Sequence, residues 1–237
     1  MEILLTICAR AGSKGIPGKN IKMINGKPLI YYTIKVAKDF AQKYKADITI
    51  STDGETIKKV ASEYGLHNNY VRPEVLSRDD VGKIATIFDV IKFEEFKKGK
   101  TYDYIIDLDV TSPLRNLEDI ENAFRILEKD ISALNIFSVN YANRNPYFNM
   151  VEKKDNGYYN LIKEGTFLTR QSAPSVFELN ASIYIYRRNF FSDKPVKVIN
   201  ENSLIYLMPH ICFDLDHAID FDFMDYLISE NKLDFDL

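Results

Sequence analysis

Through the first 140 residues, apolar positions come in two alternating patterns. Short unbroken runs are followed by longer segments in which apolar residues recur every three or four positions. The first pattern reads as strands buried on both sides and the second as amphipathic helices. On this basis EILLTIC (2–8), ADITIST (46–52), YDYIIDLDV (102–110) and ISALNIFSV (131–139) are predicted strands. Between and after them, KPLIYYTIKVAKDFAQKY (27–44), GETIKKVASEYG (54–65), KIATIFDVIKFEEFKKG (83–99) and NLEDIENAFRILEK (116–129) are predicted helices. Pro28 is placed to open the first helix and Gly99 to close the third. Strand–helix alternation of this kind predicts an α/β fold: a mostly parallel central sheet with helices on both faces.

The pattern changes after Asn140. Between 141 and 180, turn signals (Asn145-Pro146, Asn156-Gly157, Gly165) separate short aromatic stretches such as YYNLI. This reads as a β-rich insertion that covers a site or forms a subunit interface. ASIYIYRR (181–188) and SLIYLM (203–208) then read as strands rejoining the sheet, and AIDFDFMDYLISENK (218–232) as a closing helix. Internal repeats and low-complexity tracts are absent.

Composition narrows the class of partner. The 237 residues suit one domain, 46% of them hydrophobic and 27% charged, which argues against wholesale disorder. A net charge of −3 gives no broad basic field, so nucleic acid is not an expected partner, although a local basic cluster could hold a small phosphate. Cys8 and Cys212 are the two cysteines and form no disulfide framework or zinc spacing; a reducing cytoplasm is expected. Glu2 stands where a secretory leader carries positive charge, and no apolar run is long enough to span a bilayer, so a soluble protein is expected.

Ligands of open α/β sheets bind beyond the carboxyl ends of the strands, and three segments fall there. The first is CARAGSKGIPGKN (8–20). It fits neither the Walker pattern, because five residues separate Gly12 from Gly18 and Asn20 replaces the hydroxyl, nor the dinucleotide fingerprint, because its glycines run G-x-x-G-x-x-G. Its glycines still let backbone amides approach an anion, while Arg10, Lys14 and Lys19 supply charge; a solvated turn with incidental lysines is the plainer reading.

The second is DLDVTSPLR (107–115), whose Asp107 and Asp109 face one side of a strand and suit a hard cation. In the plainer reading one aspartate bonds loop amides, Arg115 pairs with it, and Ser112 caps the next helix. The third is FDLDHAIDFDF (213–223). Asp220 and Asp222 suit a first helical turn, whereas Asp214 and Asp216 repel each other unless a cation or donor joins them. Between these lies RQSAPSVFELNASIYIY (170–186), where Arg170 could pair with Glu178. His67, His210 and His217 show no ligand spacing and read as structural or solvent-facing. Tyr147, Phe148, Phe167 and Phe177 read singly as packing residues.

Taken in order, ARAGSKGIPGKN, ISTDGETI, RPEVLSRD, TSPLR, RQSAP, NASIYIY and DLDHAIDF resemble the acylneuraminate (CMP-sialic acid) cytidylyltransferase family from Ala9 to Phe221. The resemblance implies a nucleotidyltransferase (Rossmann-like) α/β domain over 1–237. It also implies a homodimer in which the inserted region, about 141–180, reaches the partner subunit. It implies CTP and Mg²⁺, and transfer of CMP to a nine-carbon keto-sugar acid with release of pyrophosphate.

By matching position, Ala9, Arg10, Gly12, Ser13, Lys14, Lys19 and Asn20 belong to the nucleotide loop, and Arg72 and Lys83 to the nucleotide pocket. Asp214 and Asp216 are implied as metal acids with Asp109 a further candidate, and Arg10, Lys19, Asp214 and Asp216 as the catalytic set. Asp109, Phe148, Arg170, Gln171 and Tyr184 are implied on the sugar side, Arg170 at the carboxylate. Deprotonation of the sugar hydroxyl is expected from a metal-bound water or hydroxide, or from Asp216.

Four positions differ from members using N-acetylneuraminate: Asp109 for Gln, Phe148 for Lys, Glu178 for a basic residue, and Lys83 for a small hydroxyl residue. The blocks RNPYFNMVE, DLDVTSPLR and TRQSAPSVFELNASIYIYRR are more similar to the branch using legionaminic acid or related bacterial nonulosonates. Two other readings remain: a nucleotide-sugar glycosyltransferase with D-x-D acids, and a non-catalytic nucleotide-binding module.

Overall fold

β1 (Ile3–Cys8) is apolar at nearly every position because both its faces are covered. Leu4 packs with Ile84, Ile87 and Ile91 on one side, whereas Ile3, Leu5 and Ile7 join the larger core on the other. The computed structural model describes residues 1–12, 15–78, 80–192 and 197–237. A 3-10 turn (Lys19–Ile21) leads into a minimal hairpin, β2 (Met23–Ile24) and β3 (Lys27–Pro28). Asn25 and Gly26 turn it, both with positive φ (45° and 72°), the backbone that an Asn-Gly hairpin turn requires.

The remaining elements follow as α1 (Leu29–Tyr44), β4 (Asp47–Ser51), α2 (Glu55–Glu63), α3 (Lys83–Lys98), β5 (Tyr104–Leu108), α4 (Leu117–Lys129) and β6 (Asn135–Tyr141). Then come β7 (Val151–Lys153), β8 (Tyr159–Leu161), β9 (Phe177–Arg187), β10 (Ser203–Leu207) and α5 (Ala218–Ser229). Pro28 precedes α1 and Gly99 closes α3 with φ 65°, as their sequence positions predict.

Six strands form one sheet in the order β10-β6-β9-β5-β1-β4. β1 pairs in parallel with β4 and β5, and β10 with β6, whereas β9 runs antiparallel to β5 and β6. The sheet is therefore mostly parallel, with its carboxyl ends on one edge. α3 covers one face, through Ile84, Ile87 and Ile91, and α1 and α4 cover the other, through residues such as Phe40 and Phe124. β7 and β8 form a separate exposed hairpin between β6 and β9.

Several boundaries differ from the periodic reading, each for a local reason. The strand expected from Ile131 begins at Asn135, because Asp130 bends the chain by accepting the Ser132 and Ala133 amides. Ser112 does not cap the next helix. Asn116 does, accepting the Asp119 amide while Asp119 accepts its own, a reciprocal capping box. The closing helix ends at Ser229, and Asn231 follows with φ 51°. No helix among the described residues is long and apolar enough to cross a membrane.

Candidate active site

The carboxyl ends of β1, β4 and β5 open into a cavity of about 310 Å³. β1 runs straight into the glycine-rich loop, and three hydrogen bonds fix that loop's course. The Ala9 amide donates to the Ser51 carbonyl at 2.9 Å, the Ala11 amide to Asp53 Oδ1 at 2.7 Å, and Asn20 Nδ2 to the Arg10 carbonyl at 2.9 Å. Two glycines are there for clearance. A Cβ on Gly15 would lie 3.2 Å from the Asp216 carbonyl, and one on Gly54 would lie 3.0 Å from the Ala11 Cβ.

Arg10, Gly12, Lys19, Asn20, Arg72 and Lys83 all line this cavity, together with Asp109. Ala9 is buried beside it, and Ser13 and Lys14 lie outside the described residues. Arg72 is buried and anchored, its Nε on Ser51 Oγ at 2.9 Å and its Nη2 on the Ser51 carbonyl at 2.6 Å. The sequence reading missed Cys8, Leu76, Arg78, Val81, Thr86 and Thr111 as lining residues. Arg78 lies within RPEVLSRD and could have been found there as a basic residue in a matched block. It forms a two-pronged, exposed ion pair with Asp80.

The TSPLR segment bolts the cavity to the sheet through Arg115, a fully buried side chain. Its guanidinium does not pair with the Asp109 carboxylate. It donates to the carbonyls of Ser112, Ser182 and Asp109 and to the hydroxyls of Ser182 and Thr33. Burial pulls its pKa down to about 10, against the upward pull of Cys212, Asp109, Asp107 and Asp119.

The Ser182 that Arg115 holds belongs to a bulge. The β6–β9 register jumps between Phe137↔Tyr184 and Val139↔Leu179, and Ala181 in the bulge has φ 60°. Buried Asn180 locks this shape, accepting from Ser138 Oγ and the Ser182 amide and donating to Asn140 Oδ1. The NASIYIY motif thus fixes how β9 crosses the site edge.

Asp107 and Asp109 do face one side, as their spacing predicts, and both meet Lys83 Nζ, at 2.6 and 2.7 Å. Asp109 Oδ1 also accepts the Thr111 amide and hydroxyl. Burial disfavours the Lys83 charge, yet Asp107 and Asp109 outweigh it and hold the ammonium well above the usual lysine range. Tyr184 lies beneath this lysine, its ring centroid 5.3 Å from Nζ.

Asp216 receives Lys19 Nζ at 3.0 Å, closing a contact between the glycine loop and the chain before α5. Asp214 is different. Its Oδ1 is buried and accepts no hydrogen bond. Burial pushes its pKa up; Asp109 and Asp216 add to the rise, and the Thr111 hydroxyl and Lys19 oppose it.

Asp214 also lines a second, larger cavity of about 550 Å³, walled by Asn140, Tyr141, Glu178, His210, Phe213 and Phe223 among others. Phe213 and Phe223 stack at 5.6 Å, and Asp220 caps α5 by accepting the Asp216 and His217 amides. His210 is structural, as expected: its Nε2 is 2.9 Å from Asp119 and its ring stacks on Phe235 at 3.6 Å. The DLD acids link the two cavities indirectly: Asp214, in the second, contacts the Thr111 hydroxyl of the first, and Asp216 pairs with Lys19 of the first.

Four residues placed on the sugar side by resemblance, Phe148, Arg170, Gln171 and Tyr184, line neither of these cavities, and the fifth, Asp109, lines the first. Arg170 and Gln171 sit on an exposed 3-10 turn (Arg170–Ser172), where Arg170 Nη2 donates to the Ala142 carbonyl at 2.8 Å and not to Glu178. Phe148 lies in the turn organised by Asn145.

A divalent cation is testable against this donor set. Among the described residues, no group of three or more His, Cys, Asp or Glu is arranged to hold a metal alone. Mg²⁺ does not need one, because it keeps several waters and takes one or two carboxylates plus substrate phosphates. Asp214, with its orphaned buried oxygen, and Asp216 fit that demand.

A family model described as Cytidylyltransferase matches residues 4–232. The chain is 40% identical over 234 residues to Post-translational flagellin modification protein B of Campylobacter coli, covering 98% of this chain and 97% of that one. It is 39% identical over 233 residues to CMP-N,N'-diacetyllegionaminic acid synthase of Campylobacter jejuni, with the same coverage, 98% and 97%. Among solved structures, CMP:2-keto-3-deoxy-manno-octonic acid synthetase complexed with CTP matches with a TM-score of 0.70 at 17% identity. That match covers 98% of this chain and 100% of the other, and shows a shared fold.

Proposed function

Because the chain belongs to the cytidylyltransferase family, a family of nucleotidyltransferase enzymes, we propose that it transfers CMP from CTP to the anomeric hydroxyl of a nonulosonic acid. The observation that carries this reading is that two unlike cavities are linked through the DLD acids: Asp214 lines the second, and Asp216 pairs with Lys19, which lines the first. The first is lined by Arg10, Lys19, Arg72, Arg78 and Lys83 against one acid, Asp109, and suits a triphosphate. The second is aromatic and apolar with a few polar groups, and suits a sugar bearing methyl or acyl groups. With the identity to the legionaminic acid synthase, this favours a legionaminate-type acceptor.

In the reaction the anomeric oxygen bonds to the α-phosphorus while the bond to the β-phosphate oxygen breaks and pyrophosphate leaves. Arg10, Lys19 and Asn20, with the Gly12 backbone, hold the triphosphate in line, and Arg72 fixes the cavity wall against β4. Asp214 and Asp216 would hold Mg²⁺, which when bound neutralises phosphate charge in the transition state. Lys19 bridges Asp216 and the phosphate loop, so that both sides of the leaving group share one charge. Asp216, paired with Lys19, supplies charge and orientation, and the proton of the attacking hydroxyl passes to solvent water.

The sugar carboxylate needs a cation, and in the second cavity the one candidate among the described lining residues, His210, is committed to Asp119. Arg170 of a second copy fills that role in our reading. Support comes from the insertion, about 141–180, and the start of β9, where Tyr141, Tyr158, Tyr159, Leu168 and Leu179 leave an apolar surface uncovered. This homodimer works in the cytoplasm, where CTP is made.

Pyrophosphate release from CTP, measured with N-acetylneuraminate, legionaminate, pseudaminate and Kdo, tests the proposal. The fastest release is expected with legionaminate. Silence with all four acids, or consumption of a nucleotide sugar instead, would return the glycosyltransferase or binding-module reading.

A further inference from the structure

The site holds more carboxylates than one divalent ion needs, and it disposes of two of them with a lysine. Asp107 is fully buried; its Oδ1 accepts the Thr6 hydroxyl at 2.7 Å and its Oδ2 lies 2.6 Å from Lys83 Nζ. Asp109 gives Oδ1 to the Thr111 amide and hydroxyl and Oδ2 to the same ammonium at 2.7 Å. Every oxygen of these two acids thus has a hydrogen-bond or ion-pair partner within the chain. Asp214 Oδ1, buried and unpartnered, is the contrast.

Lys83 is not where a helix would place it for its own sake. It is the first residue of α3, the end at which the helix dipole disfavours a cation. The two aspartates outweigh that, and the Tyr184 face 5.3 Å away further confines the ammonium.

We infer that Lys83 is a built-in cation that withholds Asp107 and Asp109 from metal binding and so confines the divalent ion to Asp214 and Asp216. The inference rests on the metal assignment proposed above. An ion approaching Asp109 must displace or face an ammonium at contact distance in a partly buried setting, where like charges repel strongly. Asp216 also meets an ammonium, Lys19, but through Oδ1 of a carboxylate that is 61% exposed, where that repulsion is screened. Lys83 is therefore a positioning residue: it acts on the reaction through the acids it occupies. Asp109, a metal candidate by sequence, becomes a counter-ion.

Titration of the full chain with Mn²⁺ alone, following the free-ion EPR signal, tests this. The wild-type chain should bind one equivalent, and D214N should weaken it by at least about tenfold. D109N, which keeps a carbonyl oxygen to accept from Thr111, should bind Mn²⁺ with a Kd nearer the wild-type value than the D214N value. A Kd nearer that of D214N makes Asp109 a ligand and overturns the inference.

K83A should add a second Mn²⁺ equivalent or tighten binding about tenfold, and unchanged binding overturns the inference from the other side. If K83A fails to fold around an unpaired Asp107, the K83A/D107N variant carries the same test. Wild-type binding that neither D214N nor D216N weakens would overturn the metal assignment itself, and this inference with it. That result is distinct from one in which D109N alone behaves unexpectedly.

Discussion

The two cavities, linked through Asp214 and the Lys19–Asp216 pair, are built by different means. The first cavity is made from the loops after β1 and β5, whose charged residues lie within a few positions of a strand end or in the glycine-rich loop, and from the segment between α2 and α3, whose Arg72 anchors on Ser51 at the end of β4. The acceptor-side cavity draws on the end of β6, the start of β9, the segment after β10 and the first turn of α5. One is mainly cationic and polar; the other is aromatic, with Glu178, Asp214 and Asp220 as its acids. On the proposed reading the first takes the triphosphate, a fixed chemical group, and the second takes the sugar.

Asp216→Asn breaks the comparison at its seam and carries the largest expected effect. Steady-state turnover with CTP and acceptor should fall upwards of about 100-fold while circular dichroism stays native. Near-normal turnover would remove Asp216 from the shared charge system.

Next comes the bolt that holds the two sides together. Arg115→Met leaves the buried carbonyls of Ser112, Ser182 and Asp109 short of donors and should cost about 3–5 kcal/mol in urea unfolding. A loss below about 1 kcal/mol would mean that the bulge and the TSPLR loop hold without it.

Arg170→Ala sharpens the acceptor side. It should raise the KM for the sugar acid by roughly 10- to 150-fold, the loss of a charge-assisted hydrogen bond of about 1.5–3 kcal/mol, with the CTP KM nearly unchanged. A shift in the CTP KM instead would move Arg170 to the nucleotide side.

The smallest effect concerns the acceptor cavity's wall. Burial disfavours a charged His210, but the Asp119 carboxylate, the Ile211 carbonyl and Asp234 outweigh it and raise its pKa above 6.5. The stabilisation is thus fully present below the unfolded-state value and is lost as pH rises through the folded value. Thermal melts of wild type and His210→Gln should converge as pH climbs above 6.5. A constant gap across that range would make His210 a pH-independent packing residue.

Much of the first cavity was legible because its residues sit next to strong local signals. Unbroken apolar runs ending in Gly-, Asp- or Arg-bearing turns mark strand ends, and the order of the blocks marks the site edge. Lys83 and Asp109 were both singled out by sequence, but not as a pair, since 26 residues and a helix separate them.

The second cavity was less legible for physical reasons. Tyr141, Met208, Ile211 and Phe223 converge through sheet order and helix packing, and no periodicity announces which apolar residues will face a void. The β9 bulge was invisible because Ala181 gives no cue for positive φ; its cause is the Asn180 network. Asn116 and not Ser112 caps the helix because α4 begins at Leu117, five residues past Ser112.

The most direct measurement follows the α-phosphorus. With CTP labelled there and legionaminate as acceptor, the label should appear in a sugar nucleotide at the rate at which unlabelled pyrophosphate is released. Label recovered only as free CMP or unreacted CTP, with no sugar nucleotide formed, would contradict transfer of CMP to a sugar acid.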